Sequence, residues 1–102
     1  MVVEYYDGDK LSTRINADYV NNKVTIENYT DDLVSRAFGV NINPTIKDFE
    51  EFLESRCFPR TRDKVKLILK DMELDFYDPY LICKKTEGQM AEDHMWLKFL
   101  DE

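Results

Sequence analysis

Histidine occurs once in this 102-residue chain, at position 94, and cysteine twice, at positions 57 and 83. Structural zinc sites usually carry a close ligand pair roughly two to four residues apart, and Cys57, Cys83 and His94 offer none. Cys57 is followed by five residues and then Asp63, where the phosphatase loop would need arginine. The three glycines, Gly8, Gly39 and Gly88, are too scattered for a phosphate-cradling loop. No catalytic residue, metal ligand or cofactor is therefore assigned, and the expectation is a protein that is not an enzyme. Long hydrophobic runs are missing too: no segment approaches the roughly eighteen apolar residues of a spanning helix. Met1 to Tyr6 has neither the basic start nor the apolar centre of a secretory signal. The expected location is the cytoplasm, without membrane contact and with both cysteines reduced and buried as small apolar residues.

What the chain does have is apolar and aromatic content sufficient for one core. Hydrophobic residues make up 43%, with six Tyr, six Phe and one Trp, which excludes disorder, and the length fits a single domain over residues 1–102. The expected fold class is α+β, a small antiparallel sheet packed against about four short helices. Residues 1–29 read as a β-hairpin region: a β-rich run at 2–6, a turn at 7–10, a weaker strand at 11–15, then two runs at 19–20 and 23–26 flanking Asn21-Asn22. Acids outnumber bases here, so the outer sheet face is expected to be negative.

Residues 30–88 read as helical. Thr30 is placed as the N-cap of a first helix whose stripe is Leu33, Val34, Ala37 and Phe38 and whose stop is Gly39. Thr45 and Asp48 make an approximate capping box for a second helix over 46–57, with Ile46, Phe49, Phe52, Leu53 and Cys57 inward and Lys47, Asp48, Glu50, Glu51 and Glu54 outward. Thr61 is placed as the cap of a third over 62–72, with Val65, Ile68, Leu69 and Met72 inward. Asp78-Pro79 opens a fourth that Gly88 closes, burying Tyr80, Leu81 and Cys83 or Ile82. A closing strand over 94–100 puts Met95, Leu97 and Phe99 on one face and Trp96 and Lys98 on the other.

Charge carries the functional reading. The chain holds 21 acids against 14 bases, a net charge of −7, which disfavours general binding to phosphate backbones. Yet six bases (Arg56, Arg60, Arg62, Lys64, Lys66 and Lys70) and only one acid, Asp63, lie between positions 56 and 70. The candidate contact residues are thus the acids Glu50, Glu51, Glu54, Asp71, Glu73 and Asp75, with this basic ridge as a separate surface. The expectation is an acidic binding protein that inhibits or modulates a macromolecular partner. The alternative is a small nucleic-acid-binding regulator using the ridge at 56–70. Against a helix-turn-helix stand the long connection over 73–78 and the acidic background.

Three segments carry a resemblance: ENYTDDLVSRAFGVNINPTIKDFEEFLESRCFPRTR (27–62), DFYDPYLICKKTEG (75–88) and AEDHMWLKF (91–99). Over roughly residues 24–100 the chain resembles small accessory proteins of bacterial chromosomes and mobile genetic elements, often placed beside toxin-like genes. The resemblance brings no catalytic residues. It implies an antitoxin-like inhibitor or an anti-defence, anti-CRISPR-like protein, whose partner is a toxin-like enzyme or a CRISPR effector nuclease. The acidity suits either, because both kinds of partner hold basic sites. The oligomeric state is left open.

Overall fold

The computed structural model describes residues 1–100. Seven elements follow in the order β1 (Val2–Asp7), β2 (Lys10–Asp18), β3 (Lys23–Asn28), α1 (Ile46–Ser55), α2 (Val65–Asp71), α3 (Pro79–Thr86) and β4 (Met95–Phe99). The four strands form one antiparallel sheet in the order β3-β2-β1-β4, so the strand latest in sequence lies beside the first. The fold is α+β as expected, with three helices where four were expected.

Strand alternation places the core. Val3 and Tyr5 of β1, Thr13, Ile15 and Ala17 of β2, Val24 of β3 and Leu97 of β4 are buried. They meet Phe49, Phe52 and Leu53 of α1, Cys57, Leu69 of α2, and Ile82 and Cys83 of α3. Tyr5 packs edge-on to Phe52 with ring centroids 5.0 Å apart. Of the expected core residues Val65 and Ile68 are only half-buried, because α2 is two turns long and lies at the margin. On α3 it is Ile82 and Cys83 that are buried, with Tyr80 and Leu81 half-buried.

The N-terminal region is simpler than its reading. β2 runs unbroken from Lys10 to Asp18, with a bulge at Ser12 where Tyr5 pairs with Thr13 and Tyr6 with Leu11. Tyr19 and Val20 belong to the turn. Asp18 builds that turn, its carboxylate accepting the Val20 and Asn21 backbone N–H groups at 3.1 and 3.2 Å, and Asn22 supplies the positive φ of 53°. The outer sheet face is mixed in sign, not negative. Across the strands Glu4 faces both Arg14 and Lys98, and Arg14 faces Glu27, so opposite charges are paired directly.

The expected first helix, from Thr30 to Phe38, is a series of turns. Local side chains capture the backbone groups a helix would use. Thr30 Oγ1 accepts the Asp32 N–H at 3.1 Å, Asp32 accepts the Val34 N–H at 3.1 Å, and Arg36 Nε donates to the Thr30 carbonyl at 2.8 Å. The buried Thr13 hydroxyl takes the Ala37 N–H at 3.1 Å. Ala37 and Phe38 still pack on the core, whereas Val34 is 90% exposed.

The remaining helices keep their starts unevenly. α1 has the full capping box, Thr45 Oγ1 accepting from Asp48 N and Asp48 accepting from Thr45 N. α3 starts at Pro79 with Asp78 accepting the Tyr80 and Leu81 N–H groups. For α2, Thr61 is not the cap: residues 59–64 form turns, and Lys64, at φ 60°, precedes the helix without a side-chain cap.

Candidate functional site

The outward face of α1 carries Glu50 and Glu51 exposed and Glu54 half-buried. It forms one wall of a groove of about 420 Å³ whose other walls are the turn after β2 and the start of α3. Glu50, Glu51 and Glu54 line it from α1, Asp78 from the α3 cap, and Tyr19 and Tyr80 supply aromatic rings. The helical spacing of the three glutamates sets them along one side. The Asp78-Pro79 start of α3 brings the fourth carboxylate opposite.

The carboxylates differ in how they are engaged. Glu51 is 3.9 Å from Lys47 Nζ, one helical turn away, and Glu54 holds Arg60 by two contacts at 3.1 and 3.2 Å. Asp78 is committed to the α3 backbone. Among the described residues Glu50 accepts only the long Tyr19 O–H bond at 3.4 Å. Burial first, and the Glu50 charge second, push the Tyr19 phenol up to about 12. Tyr19 therefore stays a neutral donor throughout the physiological range. A single exposed ion pair of the Lys47–Glu51 kind contributes about 0 to 1 kcal/mol, so an incoming cation can displace Lys47 at little cost.

The other expected contact residues divide. Glu73 and Asp75 line a different groove, in the company of Lys66 and Lys70, and Asp71 is exposed beside it. Acids and bases thus share that surface, and the six acids are not one patch. Arg56 is not part of an exposed ridge: it is only 7% exposed. Its guanidinium donates to the Gly88 and Met95 carbonyls at 2.9 and 3.0 Å and to both oxygens of Asp93. Arg60 is held by Glu54 and lies 4.4 Å from the centroid of the Tyr77 ring. Arg62, Lys64, Lys66 and Lys70 are exposed and make no ion pair among the described residues.

Tyr19, Tyr80 and Asp78 were absent from the candidate site as read from sequence. Asp78 carries a helix-capping signal, Tyr80 a packing one and Tyr19 a strand one; their meeting in one groove with Glu50 depends on pairing between distant segments. Among the described residues no group of three or more His, Cys, Asp or Glu side chains converges as a metal site, and no helix is long and apolar enough to cross a membrane. No protein-family model, curated protein or solved structure matches the chain.

Proposed function

We propose that this chain is a non-enzymatic acidic binding protein that recognises a basic segment of a protein partner through the groove between α1 and α3. The observation that carries this reading is Glu50, a carboxylate without an ion pair among the described residues, set between Tyr19 and the Glu51–Glu54 face. A lysine or arginine side chain fits such a setting on two counts. The carboxylates attract its charge, and the tyrosine rings accept its stem or its cationic face. Charges at an interface chiefly speed encounter and select the partner, so binding weakens as salt rises.

The resemblance to mobile-element accessory proteins supports the finer reading. The partner is then a toxin-like enzyme or a CRISPR effector nuclease, met in the cytoplasm, whose basic site is covered and thereby inhibited. The alternative of a nucleic-acid regulator rests on the four exposed bases Arg62, Lys64, Lys66 and Lys70. It has lost Arg56 to burial and has Arg60 committed to Glu54.

Calorimetric titration with an arginine- and lysine-rich peptide, at low and high salt, tests the groove. Wild type should bind with salt-dependent affinity, and the triple variant Glu50→Lys, Glu51→Lys, Glu54→Lys should lose binding while keeping its circular dichroism. Binding by the triple variant equal to wild type would sink the reading. Loss of RNA or DNA binding on reversal of Arg62, Lys64 and Lys66, with the acidic variant unaffected, would put the nucleic-acid reading in its place.

A further inference from the structure

Cys57 lies two residues beyond α1 and Cys83 in the middle of α3, yet their sulfurs are 3.7 Å apart. Both thiols are free, and both point at one acceptor, the Leu53 carbonyl, at 3.2 Å from Cys57 Sγ and 3.3 Å from Cys83 Sγ. That shared acceptor holds the sulfurs side by side. A disulfide bond is about 2.05 Å long, so bonding needs the 3.7 Å separation to close by about 1.7 Å. The two sulfurs differ in access. Cys83 is fully buried, whereas Cys57 lines a cavity of about 310 Å³ walled also by Arg56, Phe58, Arg62, Thr86 and Met90.

We propose that Cys57 and Cys83 are an oxidisable thiol pair, which a hydroperoxide entering the cavity beside Cys57 converts into an intramolecular disulfide. Cys57, as the thiolate, attacks one peroxide oxygen. The S–O bond forms, the O–O bond breaks, and the departing hydroxide takes up the proton Cys57 gave up, leaving as water and Cys57 as a sulfenic acid. The Cys83 sulfur then attacks Cys57 Sγ: the S–S bond forms, the S–O bond breaks, and the hydroxyl leaves with the Cys83 proton as a second water. Two thiols lose two electrons and two protons, and one hydrogen peroxide is reduced to two waters.

The division of roles follows from the contacts. The contact with the Cys83 sulfur holds the Cys57 thiol below its ordinary value against the opposing effect of burial. That same contact, with deeper burial, pushes Cys83 up. Cys57 is thus both the less deeply buried sulfur and the more readily ionised one, which are the two properties of an attacking thiol. Cys83 is placed to resolve the sulfenic acid before further oxidation. The resulting cross-link would tie the end of α1 to α3, and this inference stands whether or not the groove between those helices binds a basic segment.

The test exposes the reduced, native protein to hydrogen peroxide and follows it by intact mass and by peptide mapping without reductant. The expected result is a monomer lighter by two hydrogens with Cys57 and Cys83 joined. Cys83→Ser should stop at a sulfenic acid on Cys57, trapped by dimedone, and Cys57→Ser should resist oxidation. Two thiols still open to alkylation after unfolding would overturn the proposal. So would disulfides formed only between chains, or Cys57→Ser oxidised as fast as wild type. The wild-type mass decides the matter even if a variant fails to fold.

Discussion

Arg56 and Asp93 meet in a two-pronged contact, Nη1 to Oδ2 at 2.9 Å and Nη2 to Oδ1 at 3.0 Å, across 37 positions of sequence. Two further guanidinium donors reach the Gly88 and Met95 carbonyls, so one side chain joins the end of α1, the loop after α3 and the start of β4. Arg56→Ala is expected to cost about 3 kcal/mol or more in urea denaturation, because it strips partners from three groups at once. Asp93→Asn should cost about 2 kcal/mol, since water reaches Asp93 and replaces part of the contact.

The pH dependence of that pair has a definite sign. Hydrogen bonds from Arg56 hold the Asp93 carboxyl below the usual carboxylate value. Its contribution is full above the unfolded-state value of about 3.9 and is lost as pH falls through the lower folded value. The stability gap between wild type and Asp93→Asn should therefore be constant near neutrality and narrow below about pH 4. A gap that persists unchanged into stronger acid would show that the carboxylate charge does not carry the effect.

Core substitutions should separate by burial, not by helical periodicity. Phe52 is 8% exposed and contacts both Tyr5 and Phe38, so Phe52→Ala should cost about 3 to 5 kcal/mol. Ile68, half-buried on the marginal α2, should cost about 1 kcal/mol on truncation. Equal losses in chemical denaturation would place α2 inside the core.

Two glycines with similar backbone offer a matched comparison. Gly88 has φ 64° and an added Cβ would lie 2.8 Å from Leu97 Cδ1, while Gly8 has φ 61° with nothing within 4 Å. Gly8→Ala should cost about 1 to 2 kcal/mol for the left-handed conformation alone. Gly88→Ala should add overpacking against the fully buried Leu97, for a total of roughly 2 to 4 kcal/mol. Thermal melts of the two variants check the difference.

Tyr19 reports on the groove. Its phenol is pushed up to about 12, by burial first and Glu50 second, so Glu50→Gln should lower it only in part. Titration of the Tyr19 ring by carbon NMR measures this directly. Full return to the ordinary tyrosine value would mean that charge, not burial, sets it.

Features written in local spacing were legible in the sequence. Thr45 and Asp48 marked the start of α1, Asp78-Pro79 that of α3, and the alternation of Met95, Leu97 and Phe99 the closing strand. Residues 30–39 misled because helical periodicity ignores competition: Thr30, Asp32 and Arg36 bind the local backbone, and Thr13 takes the Ala37 N–H from 24 residues away. Arg56 looked like one more exposed base, since its partners Gly88, Asp93 and Met95 lie more than thirty positions off. The glutamates of the groove were legible as an outward helix face. That Tyr19 and Asp78 would enclose them depended on the packing of distant segments.

The place of β1 in the sheet sets an order of events during synthesis. β1 pairs on one side with β2, from which two residues separate it, and on the other with β4, where Val3 faces Phe99 and Tyr5 faces Leu97. The hairpins of β1, β2 and β3 can close as soon as they leave the ribosome. The second side of β1 must wait until nearly a hundred residues have been made. Through that interval a strand destined for the interior of the sheet is an open edge, available to other nascent chains. Joining β1 to β4 is also the longest loop closure in the molecule and so the natural slow step.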